Sequence, residues 1–289
     1  MANIEYDKLS ENGLRPVILC SDNGNGTFTG IGAVDAQGAA SMPTKPSVSQ
    51  DDIARGLVTG ATQTVKFALK ENATSGAGEE TIWASAGNFT VMTTASMLDV
   101  TYDETTDGAG TTGALTLLIT YLDANFEEQT AVHTLGSTGD DTTAFSVLGV
   151  NRALVFSSGA ADMNTSSITL TAPDGIQAFI PATASVTQQL ILHIPINTIG
   201  IIKYLHVTGN KVSGQDATID YRLYSYSRFT ETRYLIWDDV VDTSVSTHVN
   251  LVDPLGLPVS GRDVVYMTMD TTRTGTQVSA RMSINLYAT

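Results

Sequence analysis

Residues 113–160 read GALTLLITYLDANFEEQTAVHTLGSTGDDTTAFSVLGVNRALVFSSGA, and this stretch sets the fold class. Leu115-Thr116-Leu117-Leu118-Ile119-Thr120-Tyr121 is a strand-like run. Leu122-Asp123-Ala124-Asn125 supplies a turn, because Asp and Asn side chains bond the nearby backbone and tolerate a positive φ. Glu128 to Leu135 alternates again, Gly136-Ser137-Thr138-Gly139-Asp140-Asp141 turns, and Arg152-Ala153-Leu154-Val155-Phe156-Ser157 closes the run. Short apolar runs bounded by turn residues predict a β-meander in which sequence neighbours are also hydrogen-bonded neighbours.

The rest of the composition agrees. Charged residues make up 16% of the 289 residues, against about a quarter in ordinary soluble chains. Thr, Ser, Ala and Gly take their place, which favours strands and turns over solvated helices. The formal net charge of −15 is unevenly spread: residues 75–175 hold 13 acids and a single base, Arg152. So acidic a chain argues against nucleic acid as a partner, since phosphate binding needs clustered Lys and Arg.

Cys20 is the only cysteine, which excludes a disulfide within one chain and reads as a small buried apolar residue. The N-terminus lacks the basic start and apolar core of a signal peptide. No apolar run approaches the roughly 18 residues of a membrane helix. The expectation is therefore a soluble protein made in the cytoplasm, with no membrane partner.

Residues 1–48 read as irregular apart from a candidate strand at Leu14-Arg15-Pro16-Val17-Ile18-Leu19-Cys20. Gly24, Gly26, Gly30 and Gly32 match neither the dinucleotide nor the P-loop signature, and an arm folding on a neighbouring subunit is the expected use of this segment. Ser49 and Asp52 have capping-box spacing before a single helical turn that Gly56 stops. The run 63–69 then leads towards a first domain. We place the arm and lead-in segment at 1–75, an acidic β-sandwich at 76–175 and a second β-sandwich at 176–289, an all-β, jelly-roll-like architecture. In the first sandwich, strands are expected at 89–92, 97–102, 114–121, 128–135, 151–157 and 166–172. Leu115, Leu117, Ile119 and Tyr121 should meet Ile168 and Leu170, because alternate side chains share a face. In the second, strands are expected at 186–194, 201–207, 217–226, 230–237, 247–252, 263–269 and 278–287. Ile219, Tyr221 and Leu223 form one core face; Val278, Ala280, Met282, Ile284 and Leu286 form another.

Candidate chemistry is sparse. His133, His193, His206 and His248 are scattered, with no pair at metal-ligand spacing. No Gly-x-Ser-x-Gly elbow is present. Asp123 to Glu127 starts like a calcium loop, but Glu128 stands where the loop needs Gly and Thr134 where it needs Glu, so a hairpin corner is the better reading. The loops carrying Asp103, Glu104, Asp107, Asp140 and Asp141 read as solvated turns. We expect no metal, no cofactor and no catalytic residue. The most suggestive surface is the stripe Arg222, Tyr224, Tyr226 and Arg228, with Trp237 after it. Arg and aromatic side chains are enriched at protein contacts and also suit carbohydrate stacking. A stripe buried between sheets would instead be core with extended Arg stems.

The order of Glu80-Thr81-Ile82-Trp83, then Thr120-Tyr121-Leu122-Asp123-Ala124-Asn125-Phe126-Glu127-Glu128, Val132-His133-Thr134-Leu135-Gly136-Ser137-Thr138 and Asn151-Arg152-Ala153-Leu154-Val155 resembles a family of tailed-bacteriophage virion proteins. Residues 190–203, 221–228 and 278–286 fit that family's later strands, and 54–61 fits its opening segment. Ile196-Asn197-Thr198-Ile199-Gly200 departs from the family's turn. The resemblance spans most of 53–289, rests on order and spacing, and involves no catalytic motif. It implies a non-enzymatic virion component of two β-sandwiches, working as a homo-oligomer with virion proteins such as the major capsid protein. A capsid cement or decoration role is the leading expectation. A tail, neck or fibre component, or an adhesin module taking a host-surface glycan on the Arg/Tyr stripe, is the alternative.

Overall fold

The computed structural model describes residues 17–22, 28–34, 50–85, 87–210, 216–244 and 248–289. It divides into two units, residues 1–58 and 59–289. In the first, β1 (Val17–Asp22) and β2 (Phe28–Val34) form an antiparallel hairpin. The glycine-rich segment therefore contains a strand where an irregular chain was expected: Gly30 and Gly32 sit opposite Cys20 and Leu19 in the ladder. The helix α1 (Gln50–Ala54) stops at Gly56, whose φ of 70° ends it as expected. Its proposed cap, Ser49, lies outside the described residues.

The second unit is all β. In chain order it comprises β3 (Ala61–Ala73), β4 (Glu80–Thr81), β5 (Asp99–Thr101), β6 (Ala114–Leu122), β7 (Glu128–Thr134), β8 (Asp140–Thr142) and β9 (Gly149–Ser158). Then follow β10 (Ile168–Ala172), β11 (Gly175–Ile180), β12 (Ile191–His193), β13 (Thr198–Asn210), β14 (Thr218–Ser227) and β15 (Thr232–Asp242). The chain closes with β16 (His248–Val259), β17 (Val264–Thr271) and β18 (Thr276–Ala288). The pairings among these strands are antiparallel. The sheets run β7-β6-β9, β11-β10-β5-β8, β16-β13-β18-β3 and β12-β17-β14-β15, with β4 added on β17.

Two hydrophobic cores explain the four sheets. In one, Leu117, Ile119 and Tyr121 of β6 pack with Ile168 and Leu170 of β10, the expected meeting of faces. Leu115 is only half-buried, because the β6–β9 register shifts beside it. In the other core, Ile219, Tyr221 and Leu223 of β14 pack with Val278, Ala280, Met282, Ile284 and Leu286 of β18. Both apolar faces come from period-2 alternation, which puts every second side chain on one side of a strand.

The partition of the chain between the cores differs from the expected boundaries. β3, expected in the lead-in segment, pairs with β18 along its whole length, and β4 pairs with β17. The acidic stretch β5–β11 is thus inserted between β4 and β12. The expected break at 175 falls inside the β10–β11 hairpin, where Pro173-Asp174 and Gly175 (φ 122°) turn the chain; Ala178 and Ile180 continue the first core. Residues 89–92 form no strand. Phe89 instead packs edge-on against Trp83, His193 and Tyr266. The apolar run 186–194 keeps only β12 as strand, because residues 184–189 cross from one sheet to the next. There Thr187 N donates to Ala153 O and Gln188 O accepts from Ala84 N.

The expected corner at 123–127 is a hairpin turn. The Asp123 carboxylate accepts the backbone N–H of Asn125 (2.8 Å) and Glu127 (3.0 Å), and Phe126 takes a φ of 65°. The corner also docks: Phe126 O accepts Ile196 N at 2.8 Å, and the Arg262 guanidinium lies 5.0 Å from the Phe126 ring centre.

Candidate functional site

The stripe on β14 is folded inward on its polar atoms. Arg222 Nη1 and Tyr224 OH both donate to Glu79 Oε1, at 2.7 and 2.8 Å, and Arg233 Nη1 donates to Glu79 Oε2 at 2.9 Å. Arg222 also pairs with Asp220. The Arg233 guanidinium lies over the Tyr224 ring, 4.1 Å from its centre. β14 and β15 are paired so that Tyr226 faces Arg233, which brings both arginines onto the side of the sheet where Glu79 enters just before β4. Burial opposes the charge on Glu79, but the bonds from Tyr224 and Arg222 and the Arg233 charge hold its carboxyl below its ordinary range. Burial and the bond to Glu79 push the Tyr224 phenol up. Tyr224 is only 6% exposed.

Further along the strand, Arg228 is a clamp. It donates to Met92 O, to Leu148 O (2.9 Å) and to His193 Nδ1 (3.1 Å). Burial lowers its pKa to about 10. Because Nδ1 accepts, the His193 proton sits on Nε2, which has no partner among the described residues. Burial, with Arg228 and Lys66 beside it, pushes the imidazole pKa well down. The ring fills the space over Gly149, where a Cβ would come within 2.1–2.5 Å of it. Tyr226 is half-buried against Trp83 and its neighbours, and Trp237 is half-buried against the core on the opposite side of the sheet. So Arg222, Tyr224 and Arg228 direct their polar groups to partners within the chain, while Trp237 does not share their face.

Asn151 joins the inserted strands to β12. Its Oδ1 accepts His193 N (2.7 Å), and its Nδ2 donates to His193 O (3.0 Å) and to Glu128 Oε1 (2.8 Å). Beside it opens a cleft of about 500 Å³ between β3, the β6–β9 pair and residues 186–192. Lys66 lies on its inner wall, 7% exposed, and donates to Asn151 O. Burial lowers the Lys66 pKa to about 7; Glu128 opposes the shift and Arg152 adds to it. Gln189 donates to Val150 O (3.0 Å), and its buried Oε1 is without a partner among the described residues.

Lys66, Glu79 and Gln189 carry this chemistry and were not singled out in the sequence, where Asn151 figured only in the family resemblance. Lys66 was concealed by its alternation. In Thr64-Val65-Lys66-Phe67-Ala68, the face carrying Lys66 is the buried one, while Val65 (49%) and Phe67 (47%) are exposed.

The histidines stay dispersed. His133 is buried on β7, His193 forms the joint above, and His206 accepts from or donates to Thr208 Oγ1 at 2.8 Å. The side chains of His248 and Cys20 lie outside the described residues. The acidic loops are used internally. Asp107 accepts from Ala114 N (2.6 Å), Thr165 N (3.0 Å) and Ser166 N (2.6 Å), and Asp141 accepts from Gly136 N (2.6 Å) and Tyr102 OH. No helix among the described residues is long and apolar enough to cross a membrane.

No protein-family model matches the chain, and no characterised protein matches it in sequence. Among solved structures it is similar, weakly, to the VP2 subviral particle of infectious bursal disease virus. That match has a TM-score of 0.20 and 11% identity, covering 79% of this chain and 72% of that one. The structure of the same virus's Gx strain matches at a TM-score of 0.17 and 10% identity, over 79% and 76%. Its T13 viral particle matches at 0.16 and 11%, over 78% and 69%. At such scores the likeness to these viral particle structures carries no inference about this chain.

Proposed function

We propose that the chain is a non-enzymatic structural component of a tailed-phage virion, acting as a homo-oligomeric cement or decoration protein on the capsid. The observation that carries this reading is the apolar surface left on strand edges. β15 ends one sheet and exposes Tyr234 (50%), Leu235 (51%) and Val240 (55%), with Phe229 (86%) at the turn before it. β3 ends another and exposes Val65 and Phe67. Edge strands offer unpaired N–H and C=O groups, and solvated edges ordinarily carry charge or proline in place of such side chains. Their use as contacts with another copy or with the major capsid protein is the economical explanation. The ordered resemblance of residues 53–289 to tailed-phage virion proteins points the same way.

The test is a particle reconstruction that counts copies. Hundreds of copies in the shell lattice support the capsid role; about six or twelve would place the chain in the tail or neck and refute it. Sedimentation of the free protein adds a second check, since Phe229→Ser with Leu235→Ser should reduce self-association without lowering the melting temperature. The adhesin alternative loses its expected platform: the Tyr224 ring is covered by Arg233 and its hydroxyl is held by Glu79.

A further inference from the structure

The cleft beside Asn151 is unlike the rest of the inserted region. Residues 75–175 hold 13 acids and one base, and that base, Arg152, lies on the cleft wall. Its guanidinium donates no hydrogen bond to a described residue, and it is exposed. Lys66 faces the same space and is close enough for the two cations to repel. Glu128 approaches Lys66, but no carboxylate among the described residues lies within ion-pair distance of Lys66 or Arg152. Glu128 also lines the cleft and accepts from Asn151 Nδ2; the remaining lining is rich in neutral hydrogen-bonding groups, with Gln63 and Gln188 beside Thr64, Thr120 and Thr187. Gln189 Oε1 is a buried acceptor without a donor, and most buried polar atoms have a partner. Phe67, half-exposed at the rim, offers an apolar face.

We propose that this cleft is a binding site for a carboxylate-bearing sugar unit, held with its carboxylate between Lys66 and Arg152 and its hydroxyls on Gln63 and Gln188. A guanidinium fork suits a planar carboxylate. Lys66 and Arg152 supply the positive field, which Glu128 on the same wall offsets in part. A volume of about 500 Å³ exceeds what an inorganic anion fills and lies in the range of small-ligand sites. The exposed amides and hydroxyls recognise ring hydroxyls. The groups facing Lys66 are Glu128 and Arg152 from the inserted sheets, with His193 and Arg228 behind. A bound carboxylate keeps the Lys66 ammonium protonated, so affinity should fall as pH rises from 6.5 to 9. The site is independent of where the chain sits on a particle.

The experiment is isothermal titration of the full chain with D-glucuronate, D-glucose and inorganic phosphate, in a buffer free of phosphate and carboxylate. Saturable glucuronate binding in the millimolar range is expected, with glucose at least about tenfold weaker. Arg152→Gln, an exposed position, should weaken glucuronate about tenfold, and raising the pH to 9 should weaken it in the unsubstituted protein. Absence of saturable glucuronate binding up to about 20 mM overturns the proposal. So does glucuronate affinity unchanged by Arg152→Gln, or phosphate binding as tight as glucuronate, which would mark an anion site without sugar recognition.

Discussion

Replacing Lys66 by Met should make the stability curves of the two proteins cross as pH is varied. Lys66 has a folded pKa of about 7 against an ordinary 10.5, with burial the main cause. Between those values the unfolded chain binds a proton that the folded chain does not, so stability rises with pH across that window. Below about pH 7 the folded protein carries a desolvated ammonium. The fall from 10.5 to about 7 corresponds to a cost of at most about 5 kcal/mol relative to the high-pH limit. Met fills much of the same volume and carries no charge, but it leaves Asn151 O without its donor, at about 1–3 kcal/mol. At pH 6 the substitution should therefore stabilise by about 2 kcal/mol, and at pH 10 it should destabilise by about 1–3 kcal/mol. Urea unfolding at pH 6, 7, 8, 9 and 10 gives both curves, and their difference cancels every other titrating group. Arg152→Gln removes a charge that depresses the Lys66 pKa, so in that background the low-pH gap between the two curves should narrow. Parallel curves would refute the assignment of Lys66 as a buried, unpaired amine.

Three further outcomes follow from the joints. Gly149→Ala should destabilise by about 1–3 kcal/mol in urea unfolding, because the new Cβ meets the His193 ring at 2.1–2.5 Å. Glu79→Gln should cost about 1–2 kcal/mol at neutral pH by loosening Arg222, Arg233 and Tyr224. Since the Glu79 carboxyl is held below 4.5, its contribution is complete above that pH and lost as pH falls through the folded value. The variant's acid unfolding curve should accordingly be flatter below pH 4.5. His193 is kept neutral in the fold, so acidification below about pH 6.5 protonates only the unfolded chain and should lower the melting temperature. NMR titration of the imidazole checks this directly: a folded pKa at or above 6.5 would contradict the buried joint.

The faces of β6, β14 and β18 were legible because alternation alone places Leu117 with Ile119, Tyr221 with Leu223, and Met282 with Ile284 on single sides. At β3 the buried side carries Lys66 with Ala68 and the exposed side Val65 and Phe67, because the insert covers the lysine side of this edge strand. Alternation reports which residues share a side and says nothing of which side another sheet will cover. The Arg/Tyr stripe was visible as a pattern, but its partner was not. Glu79 lies 143 residues from Arg222 in sequence, and only the pairing of β4 with β17 brings them together. Lys66 and Asn151 are likewise 85 residues apart.

The insertion of β5–β11 between β4 and β12 creates a problem that the buried polar residues resolve. Two apolar cores joined by two chain crossings would be free to reorient if only nonpolar surface lay between them, since hydrophobic contact is non-directional. Three directional joints remove that freedom. The 123–127 corner gives Phe126 O to Ile196 N and its ring to Arg262. Asn151 imitates a strand partner for His193. Arg228 reaches across from β14 to Met92 O and Leu148 O. The Asn151 joint leaves buried polar groups unpaired if the cores slide, and such groups are costly in a low-dielectric interior. Residues 59–289 accordingly form one compact unit despite their two cores. The cleft lies at this seam, where strands from both cores meet and an inward-facing lysine on β3 finds a backbone carbonyl in place of a counter-ion. At this seam the backbones of β3 and β9 set where Lys66 and Arg152 leave the chain, and residues 186–189 close the third wall.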